Sequence, residues 1–192
     1  MASPARALPA ADVHRLLEYV TTQRHPDRNR VIVLLSFKAG LRACEIAGLD
    51  WTAVLRPDGS ISDQLVIPNA IAKMGSGRRI PLHPDLRAGL QALHRNAGRP
   101  ISGAIVRSER GGHLSPGGLV NWFTVTYAAL GMTGCSSHSG RRTFITRSAR
   151  LIAKSGGSLR DIQELAGHRA ITTTERYIEG DRDAQRRLIR LI

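Results

Sequence analysis

HSGRRTFITRSARLIA (residues 138–153) is the stretch that decides the fold, because it has the periodicity of an amphipathic helix. His138 and Arg141 lie three residues apart and share one helix face with the apolar residues Ile145, Ala149 and Ile152. Such a face turns toward the protein interior, so we expect its two polar members at the mouth of a pocket. The N-terminus of a helix favours a bound phosphate. The stretch therefore predicts a long helix that begins at an anion site.

The chain after this helix predicts three shorter helices, over 158–166, 172–178 and 181–192. In the middle one, Thr172 and Glu175 have the T-x-x-E spacing of a capping box. This spacing places Tyr177 early in a short helix.

The chain before residue 138 predicts five more helices and a small sheet. The helices are expected over 10–22, from Pro26 to a stop at Gly40, from about Leu41, over 84–94 and from Ser115 to Leu130. Strand character occurs at 51–55, 64–68 and 101–107, and a tight hairpin is predicted from 70–73 and 78–82 around the turn at 74–77. The fold class is therefore mainly α with a small antiparallel β-sheet (α+β).

Composition indicates a polyanionic partner. The chain carries 28 Lys and Arg against 15 Asp and Glu, a formal net charge of +13, and such a surplus is typical of binding to nucleic acid or to an anionic membrane. No apolar run is long enough to cross a bilayer, and the first residues lack the apolar middle of a signal peptide. Cys44 and Cys135 have neither metal-ligand nor disulfide spacing. We therefore expect a reducing, cytoplasmic compartment and no metal site.

Four segments carry a family resemblance: LRACEIAGL (41–49), AKMGSGRRIPL (72–82), HSGRRTF (138–144) and AGHRAITTTERYI (166–178). In order and spacing they resemble the catalytic domain of the tyrosine site-specific recombinases, the phage integrase family. Each segment alone is weak, but the ordered set is specific, and the resemblance spans the chain from about residue 10 to 180. The resemblance implies the tyrosine recombinase catalytic fold over 1–180 and six catalytic residues: Arg42, Lys73, His138, Arg141, His168 and Tyr177.

The resemblance also implies a role for each of these residues. Arg42 and Arg141 would clamp the scissile phosphate, and His168 would hydrogen-bond it. Tyr177 would attack the phosphorus, giving a 3′-phosphotyrosyl link and a free 5′-hydroxyl. Lys73 would protonate that leaving oxygen, while the imidazole at position 138 would assist proton transfer. Because the covalent link conserves the energy of the broken bond, neither ATP nor a metal is required.

Several of these residues also have ordinary structural explanations. Arg42 could form a surface ion pair with Glu45, which could equally orient it at the site. Lys73, beside a glycine-rich turn, could be a solvated hairpin residue. His168, directly after a glycine, could be part of a helix C-terminal signal. Tyr177 could be a core tyrosine. Function is also open between recombination, type IB topoisomerase-like nicking and religation, and DNA-binding regulation without catalysis.

Partners follow from the same resemblance. We expect duplex DNA as the substrate and a monomer that forms a tetramer on DNA, with the 181–192 helix exchanged between protomers. The open alternative is that this helix docks on its own domain. Most family members carry an N-terminal core-binding domain, and Arg42 lies too early in this sequence to leave room for one. We therefore expect that domain to be absent from this sequence, either because the sequence is an excised catalytic domain or because it belongs to a short class without the extra domain.

Overall fold

A central helix that is apolar on almost every side organises the fold. In the computed structural model, which describes residues 5–177 and 189–190, helix α2 (Pro26–Lys38) buries every side chain from Val31 to Phe37. It begins at a proline, which suits the first turn because that position needs no N–H donor. Helix α1 (Ala10–Thr21) covers one side of α2 with an apolar stripe of Val13, Leu16 and Val20.

The remaining elements follow α2 in chain order. Within the described residues the helices are α3 (Ala43–Ala47), α4 (Pro84–Asn96), α5 (Pro116–Ala129), α6 (Ser139–Leu151), α7 (Leu159–Ala166) and α8 (Ile171–Glu175). Short 3₁₀ turns lie at Trp51–Ala53, Lys73–Gly75 and Ile152–Ser155. Helices α1, α3, α4 and α6 pack against α2. The prediction of a mainly helical protein with one small antiparallel sheet is confirmed.

The sheet differs from the predicted hairpin. Strand β1 (Gln64–Ile67) pairs with β2 (Arg78–Pro81), so residues 70–73 form no strand and belong to a longer connection. The register places Leu65 opposite Ile80 and Ile67 opposite Arg78. Leu65, Ile67 and Ile80 are buried, so burial of these side chains on one face fixes the pairing.

Two other predicted strands are wrong. Residues 51–55 begin with a 3₁₀ turn because the Asp50 side chain accepts a hydrogen bond from the Thr52 N–H. Residues 101–107 form only isolated bridges, from Ala104 to Asp50 and from Arg107 to His113. Both segments still contribute to the core, because Trp51, Ile105 and Val106 are buried.

A second, smaller core lies between α6 and α7. Its buried members are Ile145, Ile162 and Ala166, and Tyr177 packs against them from the end of the α8 segment. This core anchors the C-terminal part of the described chain to the helix predicted from residues 138–153. The helix predicted over 181–192 lies outside the described residues, apart from residues 189 and 190. In the part of the chain that the structure describes, no helix is long and apolar enough to cross a membrane.

Candidate active site

The beginning of α6 lies directly against the end of α2. A Cβ at Gly140 would overlap Ser36 Oγ and would meet the Phe37 ring at 2.9 Å. Glycine at this position therefore permits the close approach of the two helices. This packing brings the next residue, Arg141, to the loop that follows α2.

Arg141 is buried at the junction of two helix ends. Its Nη1 donates to the carbonyl oxygen of Gly40 at 2.7 Å, and its Nη2 donates to that of Ala166 at 2.6 Å. These bonds satisfy carbonyls near the ends of α2 and α7 and use only part of the guanidinium's fork of donors. Burial, followed by the charge of Arg42, lowers the pKa of Arg141 to about 10, so the group stays charged at neutral pH.

Arg42 is held by a buried carboxylate. Glu45 is fully buried and accepts hydrogen bonds from the Arg42 N–H at 2.9 Å and from Arg42 Nη1 at 3.0 Å. It also accepts two bonds from Arg78, at 2.9 and 3.0 Å, in a bidentate pair. Burial alone would raise the pKa of Glu45, but the hydrogen bonds and charges of Arg78 and Arg42 outweigh it, and the pKa is lowered. Glu45 therefore stays ionised and holds the Arg42 side chain in place. This arrangement fits the orienting role for Glu45 rather than an exposed surface ion pair.

Arg78 was not among the predicted site residues. Besides the pair with Glu45, its Nε donates to the carbonyl oxygen of Leu165 at 2.8 Å, which joins β2 to α7. It lies two positions before the buried Ile80 in a β-strand, so strand alternation would have placed both on the core face. The alternation within the strand predicted over 78–82 was therefore the signal that could have found it.

Lys73 lies in the connection between β1 and β2, at the start of the Lys73–Gly75 turn, and is exposed. The hydroxyl of Ser76 donates to the Lys73 carbonyl oxygen at 2.9 Å. The next residue, Met74, has a left-handed backbone with φ of 57°. Lys73 is thus on a projecting turn rather than in a strand.

His138 occupies the N-cap position of α6 and is exposed. Burial of part of the ring, followed by the charges of Arg141, Arg42 and Lys73, lowers its pKa. Arg141, Arg42 and Lys73 therefore lie close enough to His138 to act on its charge, and the surroundings of the beginning of α6 are positively charged.

His168 follows Gly167, which ends α7 in a left-handed conformation with φ of 63°. Its Nδ1 lies 2.9 Å from the hydroxyl of the fully buried Thr174. Burial, followed by the charges of Arg141, Arg42 and Arg78, lowers the pKa of His168 to about 4. The ring is therefore neutral at neutral pH, and its Nε2 is the nitrogen left to face a ligand.

Tyr177 lies beside His168, just after α8. The two rings stack with centroids 5.8 Å apart and planes inclined by 20°. The guanidinium carbon of Arg142 lies 5.9 Å from the centroid of the Tyr177 ring, within cation–π range. Tyr177 also acts on the charge of Arg141. It favours the charged guanidinium and so offsets a small part of the lowering of the Arg141 pKa by burial. The phenol therefore lies within the electrostatic reach of Arg141.

The predicted start of this last helix is wrong. α8 begins at Ile171 after the extended residue Ala170, and Thr172 does not cap it. Tyr177 consequently follows the end of the helix instead of lying near its start. The threonine that matters is Thr174, whose hydroxyl bonds His168 in the interior rather than a backbone N–H.

The other tyrosines have different surroundings. Tyr127 is buried, and its hydroxyl has no hydrogen-bond partner among the described residues. Burial, followed by the charge of Cys135, raises the pKa of Tyr127. Tyr19 lies on α1 and packs against the main core. Of the three tyrosines, only Tyr177 stacks on one of the predicted site residues within the described part of the chain.

The chain matches the model of the phage integrase family over residues 6–183. It belongs to the phage integrase family. It is 30% identical to the tyrosine recombinase XerD of Mycobacterium leprae over 91% of this chain and 58% of that protein. It is 27% identical to the tyrosine recombinase XerC of Xanthomonas campestris pv. campestris over 92% of this chain and 52% of that protein. The chain thus spans little more than half the length of these curated relatives.

Solved structures share the fold at low sequence identity. The Tn1549 transposon integrase in complex with transposon right end DNA has a TM-score of 0.76 and 17% identity, with 99% of this chain and 67% of that chain covered. The XerA recombinase has a TM-score of 0.73 and 19% identity, with 97% and 65% covered. A lambda integrase tetramer bound to a Holliday junction has a TM-score of 0.69 and 19% identity, with 93% and 50% covered. The predicted catalytic-domain fold is therefore confirmed.

Proposed function

We propose that this chain is the catalytic domain of a site-specific DNA recombinase that breaks and rejoins strands through a 3′-phosphotyrosyl intermediate. The observation that supports this most strongly is the stacking of His168 on the ring of Tyr177, with Arg141 and Arg42 close enough to His168 to lower its pKa. Membership of the phage integrase family supports the same reaction. The relatives named above are recombinases, which favours recombination over topoisomerase activity or regulation.

The two arginines would neutralise the non-bridging oxygens of the scissile phosphate. Arg141 is fixed by two carbonyl oxygens and Arg42 by Glu45, so neither guanidinium needs to reorganise as charge develops in the transition state. The neutral ring of His168 would donate from Nε2 to a phosphate oxygen, because its Nδ1 is held by Thr174. This assignment makes Nδ1 the acceptor of the threonine hydroxyl.

Tyr177 would act as the nucleophile. Its hydroxyl oxygen would bond to phosphorus while the bond from phosphorus to the 5′ oxygen breaks. His138 has a lowered pKa and is neutral at neutral pH, so it can accept the phenolic proton directly or through water. The ammonium of Lys73 would give a proton to the 5′ oxygen as it leaves. Rejoining reverses these steps with a 5′-hydroxyl as the nucleophile.

Duplex DNA is the proposed partner. The cleft beside the site, about 340 Å³ in volume, is bordered by the exposed side chain of Arg79, which suits the phosphate backbone. We also propose that the protein acts in the cytoplasm, as a monomer that assembles into a tetramer on DNA. The lambda integrase tetramer on a Holliday junction provides the precedent.

A selection from nicked duplexes tests the reaction and finds the target sequence at the same time. A pool of duplexes with a randomised core and a nick just beyond it traps the covalent intermediate, because the short 5′-hydroxyl strand diffuses away. We expect the wild-type protein to form adducts that survive denaturation and enrich particular sequences, while Tyr177→Phe binds the same duplexes without forming adducts. The proposal is wrong if the wild-type protein forms no adduct, or if Tyr177→Phe forms as much as the wild type.

The enriched sequence then separates recombination from simple religation. A recombinase exchanges strands between two DNA molecules that each carry the site, whereas a topoisomerase-like enzyme relaxes one supercoiled circle. We expect recombinant products from paired sites. Relaxation without any recombinants would instead assign the topoisomerase-like reaction.

A further inference from the structure

Arg169 connects two parts of the site that are far apart in sequence. Its Nη2 donates to the carbonyl oxygen of Met74 at 2.7 Å, across a separation of 95 residues. Met74 directly follows Lys73, and Arg169 directly follows His168. We propose that Arg169 is a positioning residue, which holds the turn that carries Lys73 against the loop that carries His168. The proposal rests on the proposed function, because it assigns Arg169 a task in that reaction.

Ala72, directly before the turn, is buried in the main core, but the turn residues that follow it are mostly exposed and make few hydrogen bonds to other segments. The hydrogen bonds at its ends come from the same connection, from Ser76 to the Lys73 carbonyl and from the Gly77 N–H to Asn69. Within the described part of the chain, Arg169 makes the one hydrogen bond that reaches residues 68–77 from another segment. Met74 is 66% exposed and holds an unfavourable left-handed backbone. A turn of this kind samples other conformations unless it is held.

The other end of the link is firmly anchored. The side-chain amide of the buried Gln163 donates to the carbonyl oxygens of His168 at 2.9 Å and Arg169 at 3.1 Å. Gly167 is fixed by a backbone bond to Glu164. The loop after α7 is thus a rigid support, from which the guanidinium of Arg169 reaches across the cleft to the turn.

This geometry predicts a selective defect. Without Arg169, the clamp of Arg42 and Arg141 keeps its own partners, whereas the ammonium of Lys73 loses its fixed distance from the leaving oxygen. Proton donation to the 5′ oxygen should therefore suffer more than phosphate binding. The competing role for Arg169 is direct contact with a DNA phosphate, which would weaken binding and slow cleavage whatever the leaving group.

A sulfur leaving group separates the two roles. Single-turnover cleavage is measured on a duplex recovered from the pool selection and on the same duplex with a bridging 5′-phosphorothiolate, whose sulfur leaves without a proton. We expect Arg169→Ala to cleave the ordinary duplex about 10- to 100-fold more slowly than the wild type. On the phosphorothiolate its rate should return to within about threefold of the wild type. Arg169→Lys should lose less of the cleavage rate on the ordinary duplex, because an ammonium can still donate to the Met74 carbonyl.

Arg79→Ala is the matched control. Arg79 borders the same cleft, and its side chain makes no hydrogen bond to the turn within the described residues. This variant removes an equal charge, and we expect its ratio of rates on the two substrates to match that of the wild type. In a Lys73→Ala background, Arg169→Ala should slow cleavage no further, because both changes remove the same contribution.

Three results would overturn the positioning role: equal defects of Arg169→Ala on both substrates, no defect at all, or fully additive effects with Lys73→Ala. Equal defects together with a weaker salt dependence of binding would instead assign Arg169 to a DNA phosphate. Failure of the proposed function is distinguishable, because the wild-type protein itself would then form no adduct.

Discussion

The Glu45→Gln substitution tests the network that orients the clamp. Glu45 accepts four hydrogen bonds, three from guanidinium groups and one from a backbone N–H, and is fully buried. The amide keeps the size of the side chain but replaces one acceptor oxygen with a donor that faces other donors. It also leaves the partly buried charges of Arg42 and Arg78 uncompensated.

Breaking a buried ion pair from one side costs about 3–5 kcal/mol, and we expect a loss in that range. The four bonds share one carboxylate, so their separate contributions do not add. For a protein of this length each kcal/mol lowers Tm by roughly 2–4 °C, which predicts a fall of roughly 6–20 °C. Thermal and urea unfolding of the two proteins measure both quantities.

The pH dependence supplies an independent check. The folded-state pKa of Glu45 is lowered, so its contribution is present above the unfolded pKa, about 4.3, and is lost as the pH falls through the folded value. The stability gap between wild type and Glu45→Gln should therefore be widest at neutral pH and narrow in acid. As a control, Glu164→Gln removes an exposed partner of Arg160 and should cost less than about 1 kcal/mol. If Glu45→Gln loses no more stability than this control and cleaves DNA at the normal rate, Glu45 does not orient the two arginines.

Three further predictions concern single positions. Arg141→Lys should lower the cleavage rate about 100-fold or more, comparable to losing an oxyanion-hole donor. A lysine cannot hydrogen-bond two carbonyl oxygens and a phosphate in bidentate fashion at the same time. A near-normal single-turnover rate would contradict this. Gly140→Ala should lower the free energy of unfolding by about 1–3 kcal/mol through overpacking against Ser36. Gly117→Ala, with open space around it, should not destabilise the protein. Equal urea midpoints for the two variants would contradict the close approach of the helices. In the free protein, NMR should find that the His168 imidazole stays neutral down to about pH 4. A titration midpoint near the ordinary histidine pKa of about 6.5 would show instead that the ring is solvated.

Helices and sheet differ in how far the sequence predicted them. The face shared by Arg141 and Ile145 depends only on local spacing, and the helix over Ser139–Leu151 follows from it. Strand pairing depends on contacts that local sequence does not contain. The glycines at 75 and 77 favoured a tight hairpin, but burial of Leu65 and Ile67 selected the more distant partner strand.

The site shows the same division. Motif spacing selected the six predicted residues, and their roles stay predictions. Arg78 and Thr174 were missed because each acts through a tertiary partner, Glu45 and His168 respectively. Short polar residues in a helical segment favour capping by default, and only the fold reveals that Thr174 points inward.

The most direct test of the proposed reaction is to locate the covalent bond. The adduct trapped on the selected nicked duplex is digested with protease and nuclease, and mass spectrometry identifies the residue that retains the nucleotide. We predict a 3′-phosphate joined to Tyr177, with a free 5′-hydroxyl on the released strand that a polynucleotide kinase can label. A bond to Tyr19 or Tyr127, or to the 5′ end of the broken strand, would contradict the assignment.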